Sequence, residues 1–103
     1  MWRDVLDILN SLCNEVKSAK GHTASVRYTY TNRNRRVVQA VISYLNTLGV
    51  IRRKTSRGSR LHVDDSAIFW HMAKTDKCDE IKHELYVYLC SVGFKDFCIG
   101  NRA

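Results

Sequence analysis

The residues best suited to chemistry in this 103-residue chain are cations. Arg27, Arg33, Arg35, Arg36, Arg52, Arg53, Lys54, Arg57 and Arg60 all fall within residues 21–63, a stretch without a single Asp or Glu. The rest of the chain carries the other eight of 17 cations and all ten acids, so the net charge of +7 divides into +9 in the middle and −2 outside it. Guanidinium and ammonium groups at that density, with no acid beside them in sequence, suit charge-assisted hydrogen bonding to a polyanion. A nucleic-acid backbone is the polyanion such a segregation points to first. The plainer alternative is a solvated basic surface.

Other chemistries find little support. Paired-carboxylate catalysis is excluded from the basic segment, and His22, His62, His71 and His83 are dispersed along the chain. There is no glycine-rich phosphate loop and no dinucleotide fingerprint. The expectation is therefore a protein with no catalytic residues, not an enzyme. Cys13, Cys78, Cys90 and Cys98 form no C-x-x-C pair. Together with His71 and His83 they give no compact zinc-ligand spacing, so neither a metal nor a cofactor is expected. Buried free thiols are the expected state of the cysteines, because Cys packs as a small hydrophobe. Disulfides are the alternative if the source is a hyperthermophile.

The elements that must position the cations can be traced by periodicity. A length near 100 residues allows one domain, taken as residues 1–103, and a 45% hydrophobic content is globular. No apolar run approaches the ~20 residues of a membrane span, so no membrane partner is expected. The N-terminus lacks the basic-then-apolar pattern of a signal peptide. That predicts an intracellular protein, in cytoplasm or nucleoid, or in the host cell if viral; the composition fits a microbial or viral source. In residues 2–18, Trp2, Val5, Leu6, Leu9, Leu12, Cys13 and Val16 recur at helical spacing, and the N-terminal helix is taken to close by residue 20. In residues 23–30, Val26, Tyr28 and Tyr30 alternate with Arg27 and Thr29, which favours a strand and leaves a short helix open. Asn32 and Asn34 offer caps for a helix whose apolar face is Val37, Val38, Val41, Ile42, Leu45 and Leu48, stopped by Gly49. Residues 50–63 read as a β-hairpin turning at Arg57-Gly58. Asp64, Asp65 and Ser66 offer a cap for a short apolar helix, and Thr75 and Asp76 for a last one ended by Gly93.

The stretch RRVVQAVISYLNTLGVIRRKTSRGSRLHV resembles the third helix and wing of a winged helix-turn-helix domain. Leu45-Asn46-Thr47-Leu48-Gly49-Val50-Ile51 matches the family's Leu-x-x-Leu-Gly run into the first wing strand, and Arg57-Gly58-Ser59-Arg60 matches its basic, glycine-containing wing tip. The resemblance covers residues 33–63 well and the whole chain in outline. It implies a mainly α, α+β fold: a helix-turn-helix over residues 23–49, a wing over 50–63 and additional C-terminal helices over 65–103. It places the family's second helix at about residues 23–30, against the alternation there. It also implies that double-stranded DNA is the partner and that the protein is a sequence-specific transcriptional regulator. Arg33, Asn34, Arg35, Arg36 and Gln39 would then meet the major groove, where Arg pairs with guanine and Asn or Gln with adenine. Arg52, Arg53, Lys54, Arg57 and Arg60 would contact phosphates or the minor groove, and Arg27 the backbone.

Apolar residues outside the basic middle, including Tyr86, Val87, Phe94, Phe97 and Ile99, exceed what one surface helix needs. They predict a homodimer through the N- and C-terminal helices, with a tail folded over the N-terminal helix as the alternative. Two other functions fit the same charge: an RNA-binding or architectural protein, and an interaction module docking on an acidic protein.

Overall fold

The computed structural model describes residues 2–102, and the side chains of residues 2–98. The fold is α+β, with four α-helices and a three-stranded antiparallel sheet. Helix α1 spans Trp2–Ser18, strand β1 Thr23–Tyr28 and helix α2 Arg35–Thr47. A hairpin follows, β2 at Ile51–Thr55 and β3 at Gly58–Asp64. Helix α3 is Ile68–Lys74, α4 is Cys78–Ser91, and Lys95–Arg102 forms a 3-10 helix. None of the helices is long and apolar enough to cross a membrane among the described residues.

The helix that the resemblance puts at residues 23–30 is a strand. Ala24, Val26 and Tyr28 are buried, while Thr23 and Arg27 are exposed and Ser25 half-buried. A period of two buries all three apolar side chains on one sheet face; a helix would scatter them around its axis. β1 pairs with β3 and β3 with β2, so β3 is central and both its neighbours are edges. The hairpin turns at Ser56 and Arg57, one residue earlier than expected, because Thr55 pairs with Gly58.

One core joins the sheet to the helices. α1 contributes Val5, Leu9, Leu12 and Val16, α2 contributes Val37, Val38, Val41 and Leu45, and the sheet contributes Val26, Tyr28, Leu61 and Val63. Phe69 from α3 and Ile81, Leu85 and Leu89 from α4 complete it. The tail folds back onto α1. Phe97 is buried, and Trp2 packs against both Phe97 and Tyr86, with ring centroids 4.4 and 4.9 Å away. Much of the apolar surface that suggested a homodimer seam is thus used within one chain; Val87 and Val92 stay exposed on and just after α4. Ile99 lies outside the described side chains.

The cysteines are not free thiols. Cys13 bonds to Cys78 and Cys90 to Cys98. The packing of α1 beside the start of α4 brings the first pair's Cα atoms to 6.5 Å, and the tail brings the second pair's to 4.9 Å. Both separations lie in the range a disulfide spans.

Helix ends follow the sequence at their C-termini more closely than at their N-termini. Gly49 has φ of +89°, its N–H donates to the Asn46 carbonyl, and the Val50 N–H donates to the Leu45 carbonyl. That pair of bonds is a Schellman motif, and it swings the chain out of α2 directly into β2. Gly93 closes α4 in the same way, with Gly93 bonded to Cys90 and Phe94 to Leu89. The expected side-chain caps do not form. Asn34 is the N-cap residue of α2, but its Oδ1 accepts from the Thr31 N–H at 2.7 Å instead of from the helix. Ala67 and Lys77 precede α3 and α4, because Asp64 is occupied by the N–H and hydroxyl of Ser66 and Thr75 donates back to the His71 carbonyl.

Candidate nucleic-acid interface

Strand register decides where each cation points. Tyr28 lies opposite Ser59, and Ser59 opposite Lys54. The end of β1 and the wing tip at Ser56 and Arg57 are therefore at the same end of the sheet. The chain leaves β1 there, crosses residues 29–34 and enters α2, so the N-terminus of α2 shares that end. Gly49 and Val50 then return the chain to Ile51 at the opposite end, level with His62. The start of α2 and the tip of the wing thus lie toward the same end of the sheet.

The start of α2 is prepared for an anion. Its first turn has no acidic residue, and no side chain caps it. Free backbone N–H groups and the helix dipole add to Arg33, Arg35 and Arg36, all exposed. The Arg35 guanidinium sits over the ring of Tyr30, 5.4 Å from its centroid, and Tyr30 stacks on the buried Tyr28 at 6.1 Å. This stack steadies an arginine that would otherwise lose rotamer freedom on binding. Thr31 organises the loop from both sides: its N–H donates to Asn34, and its Oγ1 accepts the Arg33 N–H at 3.2 Å. Along α2, Arg36, Gln39, Ser43 and Asn46 form an exposed stripe at spacings of three, four and three. On a helix that spacing is one face, the geometry by which a helix presents several side chains to one groove.

The wing divides its cations between two faces. Side chains alternate along a strand, and cross-strand partners share a face. Arg52 and Lys54 lie on the face that carries Val26, Leu61 and Tyr28, on the same side as the helices. Arg52 is half-buried, and its Nε is buried with no partner among the described residues. Lys54 is exposed, as is Arg57 in the turn, where the Arg57 N–H donates to Thr55 Oγ1. Arg27, Arg53 and Arg60 lie on the opposite face, and Arg27, on the edge strand, also borders a hollow beside α1. Arg33, Asn34, Arg35, Arg36, Gln39, Lys54 and Arg57 therefore lie toward one end; Arg52, level with Leu61, shares their face but sits nearer the other end, and Arg27, Arg53 and Arg60 face away. Alternation within each strand separates them: Arg27 is out of phase with Val26 and Tyr28, Arg53 with Arg52 and Lys54, and Arg60 with Leu61.

Local fields follow the same division. Partial burial, then the charges of Arg53 and Arg60, hold the His62 imidazole below its ordinary value. Asp64 is held below the usual carboxylate range by the Ser66 hydroxyl and N–H, with Arg53 contributing. A hollow of about 190 Å³ between α1 and the end of β1 is lined by Asp4 and Asp7 as well as Arg27. Asp7 disfavours approach of a polyanion past α1, and Asp4 also borders a hollow with Thr31, Arg33 and Asn34 beside the start of α2. Comparison with known proteins finds no matching family model, no similar curated protein and no similar solved structure.

Proposed function

We propose that the chain is a sequence-specific double-stranded DNA-binding protein of winged-helix type, a transcriptional regulator that acts by binding and carries out no catalysis. The observation that carries this reading is that the uncapped, arginine-rich start of α2 and the basic wing tip lie toward one end of the sheet. In this reading α2 enters the major groove, with Arg36 and Gln39 on base edges, and Arg33, Arg35, Lys54 and Arg57 on phosphates. The order helix, strand, helix, hairpin around a three-stranded sheet supports a winged-helix arrangement in which residues 29–34 stand where the family has its second helix. A short Thr- and Asn-braced loop positions the recognition helix there.

Salt titration tests the proposal. Five cations lie toward the α2 end: Arg33, Arg35, Arg36, Lys54 and Arg57. If about four or five phosphates are neutralised, log K falls against log salt with a slope of roughly −3.6 to −4.5. Arg57→Ala makes the slope shallower by about 0.9 for every sequence. Gln39→Ala leaves the slope unchanged and relaxes preference at one base pair by about 1–3 kcal/mol. A slope near zero, or stronger binding to an A-form RNA duplex than to DNA, refutes the proposal.

A further inference from the structure

The sheet has one face against the core and one face open. Every strand side chain buried in the core, Ala24, Val26, Tyr28, Leu61 and Val63, is on the covered face. On the open face Arg27 lies opposite Arg60, and Arg60 opposite Arg53. Three guanidinium groups thus form one row across all three strands, about 10 Å long at the usual strand spacing. Like charges set directly opposite one another across a ladder are destabilising. Among the described residues none of the three is paired with a carboxylate, and Arg60 reaches only Ser25 Oγ, at 3.5 Å. The next row on the same face, Ser25, His62 and Ile51, contains no acid; the face's one strand carboxylate among the described residues, Asp64, stands two rows from the arginines, at the far end, where Ser66 holds it and Arg53 still acts on it. Among the described residues the open face carries no Phe, Tyr or Trp, the broad rings of a single-strand stacking platform, and the row suits phosphates. α2 lies on the other side of the sheet, where its apolar face joins the core.

We propose that this open face is a second phosphodiester-binding surface, so that one copy of the chain bridges two DNA duplexes. One duplex occupies the α2 end and the other lies across Arg27, Arg60 and Arg53. The inference rests on the DNA-binding reading of the α2 end and adds a second, independent contact to it. Charge complementarity commits the surface to a polyanion, and the lack of Phe, Tyr or Trp on it among the described residues favours a duplex backbone over a single strand. Asp7 borders the hollow beside Arg27 at the β1 side, so the second duplex leans toward β2.

A capture assay tests this. A biotinylated duplex is fixed to beads, and protein is added with a fluorescent duplex of the same sequence. Wild-type protein is expected to retain the fluorescent duplex. The triple variant Arg27→Thr, Arg53→Thr, Arg60→Thr is expected to retain at least tenfold less, while its Kd for a single duplex changes less than threefold. Threonine suits a strand and the variant removes a repulsion, so the fold should be kept. Arg60→Gln alone, at the centre of the row, is the milder second variant, with at least a threefold loss expected. Sedimentation of each protein checks that bridging does not come from self-association. Retention unchanged in the triple variant overturns the inference. So does a parallel loss of single-duplex affinity, which would put the row in the first interface. A wild-type protein that binds a duplex but retains no second one overturns the inference and leaves the α2 reading standing. A protein that binds no duplex at all overturns both.

Discussion

Replacing Gly49 with alanine tests the junction on which the candidate interface depends. Two separate penalties act there. The residue has φ of +89°, in the region that a side chain with a Cβ enters at a cost of about 1–2 kcal/mol. A Cβ built on Gly49 would also lie 2.8 Å from the Ala67 Cβ and 3.0 Å from the Ala67 Cα. Ala67 is itself buried, and the neighbouring backbone is tied down, since the Phe69 N–H donates to the Leu48 carbonyl at 3.0 Å. Overpacking at such a point typically costs about 1–3 kcal/mol. The two together predict about 2–5 kcal/mol, or a fall in Tm of roughly 10–30 °C for a domain of this size. Gly93→Ala is the internal control. It has φ of +110° but nothing within 4 Å of the added Cβ, so only the backbone penalty applies. Urea unfolding of both variants, with m-values unchanged, isolates the clash with Ala67 as the difference between them. Adding Ala67→Gly to Gly49→Ala should recover part of the loss, because the clash with the Ala67 side chain is removed while the backbone of residue 67 still stands 3.0 Å from the new methyl group. Equal destabilisation by Gly49→Ala and Gly93→Ala would show that the close approach of α3 to the end of α2 has been misread.

Two further predictions concern the disulfides and His62. Loop-closure entropy gives about 4 kcal/mol for the Cys13–Cys78 bond, which spans 65 residues, and about 2.5 kcal/mol for Cys90–Cys98, which spans eight. Cys13→Ser with Cys78→Ser should therefore lower stability more than Cys90→Ser with Cys98→Ser, as measured by urea unfolding without reductant. The reverse order, or a thiol titration showing four free cysteines in the native protein, contradicts the pairing. The His62 imidazole should titrate below 6.5 by NMR, and Arg53→Thr should raise its midpoint only part of the way, because burial is the larger cause. The unfolded chain binds the His62 proton more readily, so this residue's contribution to stability rises as pH increases through the interval below 6.5 and is constant above it. A midpoint at or above 6.5 in the wild type would rule out the field ascribed to Arg53 and Arg60.

Much of the architecture was legible where the signal is local. Helical spacing from Val5 to Val16 and from Val37 to Leu45 reports the two faces that are in fact buried. Gly49 and Gly93 mark real stops, because a positive φ is a local demand that glycine meets best. Residues 23–28 show the limit of resemblance. The alternation of Val26, Tyr28 and Tyr30 with Arg27 and Thr29 favours a strand, and the family pattern argues against it. The partner that stabilises this strand, β3, lies more than 30 residues further on, and no local window contains it. The disulfides were hidden for the same reason: Cys13 meets Cys78 because α3 packs on α1 and hands the chain to Cys78 at the start of α4. Asn34 and Asp64 carry the correct chemistry for caps, but each has a nearer backbone donor in its own turn and binds that instead. For the candidate site, the cations were evident from sequence, but their division between two sheet faces needed the register of β1 on β3.

The Cys13–Cys78 bond has a mechanical consequence. It joins the first helix to the last α-helix and encloses within a covalent ring everything between them: β1, α2, the wing and α3. Tension applied at the two ends of the chain would pass through sulfur from α1 to α4 and bypass the basic module entirely. About 220 Å of contour, at ~3.4 Å per residue, would stay hidden from a pulling experiment until reductant is added. A protease that cut the wing once would release no fragment, because both halves of the ring would remain tethered. The segment that carries the charge is thus the one best shielded from load.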